Sequence, residues 1–251
     1  MIEVDSVRKV YNEEVVAVGD VSLSIDEGDF VTVLGPSGCG KSTLLFMLGG
    51  FIEPTEGSIT VDGASVTGPD PSRGMVFQES VLFPWMSIKK NITWGMKVLG
   101  IDEEEREQKA EEYIEMIGLD GFEDAYPNSL SGGMKQRAAM ARVLAVNPSV
   151  LLMDEPFGAL DAQTREMMQH ELLDIWNQTG QTCMFVTHSI DEALYLSDYT
   201  VVLGSRPSSV EAVVDVTERF GRPRSPEIRD TEEFTDLRQK IWDMIQEEVS
   251  I

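Results

Sequence analysis

The stretch GPSGCGKST, from Gly35 to Thr43, has the residue types and spacing needed to hold a phosphate chain. It matches G-x-x-x-x-G-K-[ST] in full, with Gly35, Gly40, Lys41 and Ser42 at the fixed positions. Glycines permit a tight backbone whose N–H groups surround phosphate oxygens, and a following helix adds its positive N-terminal end. Lys41 is expected to reach the β- and γ-phosphates, and Ser42 to place its hydroxyl on Mg2+. The chemistry indicated is the binding of a nucleoside triphosphate. A chance match in a glycine-rich loop is the rival reading. The β-rich run FVTVLG before the loop and the helical run LLFMLGG after it argue against that.

Three further groups fit such a site. In VLLMDEP (150–156) an apolar run delivers Asp154 to the carboxyl end of a strand, where ligands of parallel sheets sit. An aspartate there holds Mg2+ through water, and Glu155, one residue on, is placed to activate an attacking water. The alternative is a solvated acidic pair ending a strand. VTHS repeats the device and brings His188 to the same edge, within reach of the γ-phosphate. His170, the other histidine, lies in a polar helix and reads as surface. Cys39, inside the loop beside Lys41 and at a helix start, sits where a thiol pKa is lowered. An inert small residue filling the loop is the competing view. LSGGMKQR (130–137) is a second glycine-rich turn of the kind that opens a helix.

The elements that must position these groups alternate between strands and helices. VSLSI, FVTVLG, SITVDG and GMVFQ read as strands in the first third. From about 87 to 146 the pattern becomes helical, in SIKKNITWGMKVLG, EEEREQKAEEYIEMIGL and GGMKQRAAMARVLAV. Strands return at VLLMD, TCMFVTH and TVVLG, with the helix AQTREMMQHELLDIWNQTG between the first two. Near-continuous apolar strands alternating with helices imply an α/β fold, a parallel sheet covered on both faces. The helical stretch reads as an insertion. The domain boundaries expected are 1–215 for one nucleotide-binding domain and 216–251 for a tail ending in an amphipathic helix.

Composition narrows the function. Forty-four acidic residues against twenty basic ones leave a net charge of −24, the opposite of the basic stripe that a nucleic-acid surface carries. No basic start followed by an apolar run marks a secretory signal. The longest apolar stretch, LLFMLGGFI, is far short of the ~20 residues that span a bilayer. Two cysteines make no disulfide framework and fit a reducing cytoplasm. Any role at a membrane is expected to pass through a partner.

With LSGGMKQR added to the loop, the chain resembles the ATP-binding subunit of an ABC transporter along nearly its whole length. That resemblance implies a P-loop NTPase (RecA-like) core with an antiparallel β subdomain and an inserted helical subdomain. It implies ATP and Mg2+ as ligands. Gln78 of VFQES resembles the family's Q-loop, which touches both the metal and the reaction, and Asp161 of GALD resembles its D-loop. Pro36, Ser37, Gly38, Cys39 and Thr43 join the loop's other residues around ATP. Tyr11 stands where the family has an aromatic that stacks on adenine; a lone tyrosine is equally a core residue. Lys135 and Ser189 replace glutamine and aspartate, which are commoner in the family at these places. The resemblance also implies two chains meeting head to tail, each ATP lying between the loop of one and Ser131, Gly132 and Gly133 of the other.

The tail RFGRPRSPEIRDTEEFTDLRQKIWDMI is most similar to importer subunits of the nitrate, sulfonate and taurine type. Such a chain works on the cytoplasmic face of the cell membrane with integral permease subunits and, indirectly, a solute-binding protein. LFPWM (82–86) then reads either as packing between subdomains or as a groove for a short permease helix, anchored by Phe83, Trp85 and Met86. A DNA-repair ATPase of the same superfamily needs a long coiled coil, and only about fifty residues without heptads separate Gln78 from Ser131. A soluble ABC ATPase of cofactor assembly and an exporter subunit are the remaining alternatives, and association with a membrane-spanning subunit separates the first of them. The acidic coat itself is either a plain solvated surface or an adaptation to high salt, where screening relieves self-repulsion. If the latter holds, the thermal midpoint rises between low and molar salt; melts that coincide would count against it.

Overall fold

A computed structural model of the chain describes residues 2–12 and 14–249. The backbone forms two compact units, Met1–Asp70 with Thr179–Ile251, and Pro71–Gln178.

The first unit opens with strands β1 (Ile2–Tyr11) and β2 (Val15–Ile25), then β3 (Phe30–Leu34), helix α1 (Lys41–Leu48), β4 (Glu56–Val61) and β5 (Ala64–Ser65). Strands β2, β1, β4 and β5 make an antiparallel sheet in that order. VSLSI and SITVDG fall in β2 and β4 as expected, whereas β1 has no counterpart among the expected strands. Its period of two is interrupted, with register shifts on either side of Val7 and a left-handed Ser6 (φ 49°), so inward residues do not alternate cleanly.

Unlike β1, β3 is buried at all five positions. It pairs in parallel with β8 (Thr182–Val186) and with β9 (Tyr199–Leu203). Strand β10 (Val210–Asp215) closes the β9 edge antiparallel. Runs with no polar face are what a sheet covered on both sides requires.

Between the two stretches of the first unit runs the second, with β6 (Arg73–Val76), α2 (Ile88–Val98), α3 (Glu103–Met116), α4 (Gly132–Leu144), β7 (Val150–Asp154) and α5 (Ala162–Thr179). Strands β6 and β7 pair in parallel. Ser87, Asp102 and Ser131 cap α2, α3 and α4, each accepting the N–H three residues on. The three helices enclose Ile88, Ile92, Met96, Ala110, Ile114 and Ala138.

After β8, α6 (Ile190–Leu196) and the tail helices α7 (Thr217–Phe220) and α8 (Glu232–Val249) complete the first unit. Helix α8 lays Phe234, Leu237 and Ile241, one face at i, i+3 and i+7, against Leu34, Ile190 and Leu194. Each of these side chains contributes about 1.5–3 kcal/mol on burial, so the tail is part of the unit's core. A buried carboxylate holds the approach to it. Asp198, fully buried, accepts from the Phe30 N–H (2.8 Å), the Thr217 hydroxyl (2.9 Å) and the Arg222 guanidinium. The almost buried Arg224 guanidinium lies 3.7 Å away. Asp198→Ala leaves these cations without their shared anion and is expected to cost about 3–5 kcal/mol. The check is a lower urea midpoint at unchanged m-value.

Candidate active site

The phosphate loop occupies the end of β3 in the first unit. Gly35 is buried, and a Cβ there would meet the Leu203 carbonyl oxygen at 2.8 Å. Gly40 adopts φ 107°, and a Cβ on it would stand 2.4 Å from the Ala17 carbonyl oxygen, so only glycine fits. Ser37 and Gly38 form the exposed tip, with Pro36 half-buried behind them. Lys41 is only 6% exposed, and its Nζ donates to the Gly35 and Pro36 carbonyls at 2.8 Å each. The ammonium is thus held inside the curve of the loop. Ser42 and Thr43 lie half-buried in the first turn of α1, where N–H groups have no helical partner.

Burial reverses the sequence expectation for Cys39. The thiol is 1% exposed, and loss of solvent pushes its pKa above the ordinary value despite the opposing charge of Lys41, whose Nζ is 3.9 Å away. Position in sequence revealed the cation and the helix end. It could not reveal the desolvation, which dominates.

The parallel register brings His188 to the loop's edge. Val33 pairs with Val186, and the Thr187 N–H donates to the Val33 carbonyl at 3.2 Å. Residues two further along each strand are Gly35 and His188. His188 is exposed and is presented by a local cap: Ser189 N–H donates to Thr187 Oγ1 (3.0 Å), and Thr187 Oγ1–H to the buried Glu192 (2.5 Å). Ser189 itself accepts the Glu192 N–H at 3.3 Å, so serine serves as the α6 N-cap. Tyr11, at the end of β1, is 37% exposed with Lys9 Nζ 5.3 Å from its ring centroid. It is not a core residue.

The second unit holds the acidic groups. Asp154, 5% exposed, ends the fully buried β7. Glu155 then turns left-handed (φ 42°), a conformation that costs a non-glycine residue about 1–3 kcal/mol. Its carboxylate lies beside the residues that follow β6. There the Gln78 amide donates to Glu155 Oε2 at 3.4 Å. Asp161 caps α5, accepting the Thr164 N–H at 3.0 Å, which holds its carboxyl below the usual range. Ser131 caps α4 through the Met134 N–H at 3.3 Å. It is exposed together with Gly132, whose missing Cβ faces open space.

Two residues that sequence reasoning passed over organise this unit. Asn91, fully buried on α2, accepts the Phe83 N–H at 2.7 Å and donates to the Phe83, Met86 and Ser87 carbonyls. It thereby shapes the loop that presents Trp85, which is 69% exposed. Gln136 on α4 is the other, and its amide donates to the Phe77 carbonyl. Asn91, an isolated amide in an amphipathic helix, carries no sequence signal that distinguishes it from a surface residue; Gln136 lies inside LSGGMKQR, where sequence reasoning gives a role only to the serine and glycines.

Among the described residues, no three His, Cys, Asp or Glu side chains form a metal cage. The Ser42 hydroxyl and the Asp154 carboxylate are oxygen donors of the kind that Mg2+ takes, one or two from protein with the rest from phosphates and water. A buried strand feeding a glycine loop and helix, with acidic groups at the end of another strand, defines a P-loop nucleotide-binding protein. A family model described as ABC transporter matches residues 18–158, more than half of the chain. The sequence is 47% identical over 251 residues to an uncharacterized ABC transporter ATP-binding protein of Methanocaldococcus jannaschii, covering 99% of this chain and 92% of that one. It is 47% identical to a taurine import ATP-binding protein of Rhizobium johnstonii (92% and 89% covered). With a nitrate import ATP-binding protein of Synechocystis sp. it shares 42% identity (97% and 94%). A solved dimeric ATP-binding cassette in a post-hydrolysis state, bound to ADP and Pi, superposes with a TM-score of 0.77 at 33% identity, covering 86% of this chain and 99% of that one. The chain belongs to the ABC transporter family. Among the described residues no helix is long and apolar enough to cross a membrane.

A raised Cys39 pKa means less thiolate at neutral pH. Alkylation by iodoacetamide at pH 7 should therefore be slower than for free cysteine, and its rise with pH should come at higher pH than for free cysteine. Mg–ATP should protect the thiol. A rate at pH 7 matching or exceeding that of free cysteine would show that the loop exposes it.

Proposed function

We propose that this chain is the ATP-hydrolysing subunit of a membrane importer, and that two copies meet head to tail with each ATP held between them. The observation that carries the proposal is the presence, in one chain, of two helix N-termini opened by glycine, α1 after Gly40 and α4 at Gly132. One set of phosphates needs both only if the second comes from another copy. Family membership supports this, as does the dimeric form of the solved relative.

In this reading the N–H groups of the loop, from Gly35 to Thr43, and the Lys41 ammonium take the β- and γ-phosphates. Tyr11 stacks on the adenine. Ser42 and Asp154 hold Mg2+, with Gln78 beside them, and the ion when bound neutralises phosphate charge. Glu155 accepts a proton from the water that attacks the γ-phosphorus. The β–γ bridging oxygen leaves with ADP, while His188 and Gln78 orient the γ-phosphate and the water. Ser131, Gly132 and Gly133 of the second copy close over the γ-phosphate, and Asp161 lies at the dimer seam. Loss of the γ-phosphate removes the contact that joins the copies, so hydrolysis reopens them.

The relatives named for nitrate and taurine import favour an importer of a small anionic or organic solute over an exporter or a cofactor-assembly ATPase. Permease subunits dock on the exposed loop around Trp85 and place the chain at the cytoplasmic membrane face. A solute-binding protein delivers cargo from the other side.

The test joins two copies in tandem, in a Glu155→Gln background that binds ATP without turning it over. Lys41→Ala and Ser131→Arg are placed either in one copy or one in each. A shared site predicts about one trapped Mg–ATP for the split pair, whose lesions fall together and leave the other site whole, and none for the same-copy pair. The reverse pattern would mean that each chain builds its own site.

A further inference from the structure

Helix α4 is tied to the segment that carries Gln78 in its own chain by one buried side chain that the function above does not use. Gln136 lies one turn beyond the glycines that open α4. It is 1% exposed, and its Nε2 donates to the Phe77 carbonyl oxygen at 3.1 Å. Strand β6 ends at Val76, so this carbonyl lies past the last residue paired with β7. The next residue is Gln78, whose amide reaches Glu155 Oε2. A single peptide unit therefore separates the backbone oxygen that Gln136 grips from the side chain that touches the general base.

The neighbouring residue gives the contrast. Arg137, the next residue of α4, sends its guanidinium the other way, to the Ile117 carbonyl at the end of α3. The second turn of α4 thus fastens the helix to α3 on one side and to the Gln78 segment on the other. A helix is stiff along its axis, so a displacement at Ser131 is carried to Gln136 with little loss, whereas an exposed loop would absorb it.

Resting on the shared-site reading, we propose that Gln136 is a positioning residue that couples the two ATP sites of the dimer. When Ser131–Gly133 of one chain close on the ATP bound to the other, α4 settles. Through the Gln136–Phe77 hydrogen bond it sets Gln78 against Glu155 in its own chain. Each site then becomes competent to hydrolyse only when the chain supplying its general base is itself engaged at the opposite site. The arrangement ties turnover to closure at both sites.

The test separates positioning from folding and from dimer formation. Gln136→Met keeps the side chain's length and removes the donor; Gln136→Glu keeps the length and sets an acceptor against the carbonyl. Both are expected to bind ATP with unchanged affinity and to remain folded, with a melting midpoint lowered by the Phe77 carbonyl left unpaired, while kcat falls by about 10²-fold through misplacement of the base and the ATP dependence loses its sigmoid form. In the Glu155→Gln background each should still accumulate the ATP-bound dimer, because closure does not need the base to act. An unchanged kcat in both variants overturns the proposal. So does loss of the trapped dimer in parallel with turnover, which would make Gln136 a structural support of α4. A Glu155→Gln parent that stays monomeric with Mg–ATP is a different failure: it removes the shared site, and the coupling falls with it.

Discussion

The first turn of an α-helix leaves N–H groups that no carbonyl of the helix can reach, and this chain opens two helices, at Lys41 and at Gly132, with such groups facing outward after glycine. At Lys41 the glycines do more than permit the turn. The Gly40 position lies so close to the Ala17 carbonyl that a side chain would displace β2, the strand whose hairpin partner ends in Tyr11. The glycine loop and Tyr11 are thereby linked by backbone contacts within one unit. Lys41, buried against two loop carbonyls, keeps a positive charge inside the curve of the loop. The carbonyls offset part of the desolvation that this placement costs.

The acidic half rests on a different constraint. Two adjacent carboxylates serve different purposes only if the backbone separates them. Strand alternation would turn Asp154 and Glu155 to opposite faces; here the strand ends at Asp154, Glu155 is left-handed, and its carboxylate accepts from the Gln78 amide. Five buried residues in β7 hold the strand in place while its end is strained.

Where the chain buries a carboxylate it satisfies it. Asp198 is fully buried and surrounded by an N–H, a hydroxyl and two guanidiniums. It fastens the start of β3 to the segment leading into α8. The tail that resembles importer subunits in sequence is therefore part of the core that supports the phosphate loop, and substitutions in it will be felt there.

Sequence alone determined what is local. The loop, the strand ending at Asp154, the helix opened at Gly132 and the amphipathic tail each lie within a dozen or so contiguous residues, and their chemistry follows from residue type and period. Strand β1 escaped because bulges interrupt its alternation. Tertiary structure decided everything that depends on what surrounds a residue. It exposed Tyr11, which the sequence left open between adenine platform and core. It buried Cys39 and so raised a pKa that the nearby lysine was expected to lower. It set His188 level with Gly35 by a register between strands far apart in sequence, and it joined Gln136 to Phe77 across 59 residues. Solvent exclusion and long-range pairing are sums over the whole packed chain, and no stretch of sequence carries them by itself.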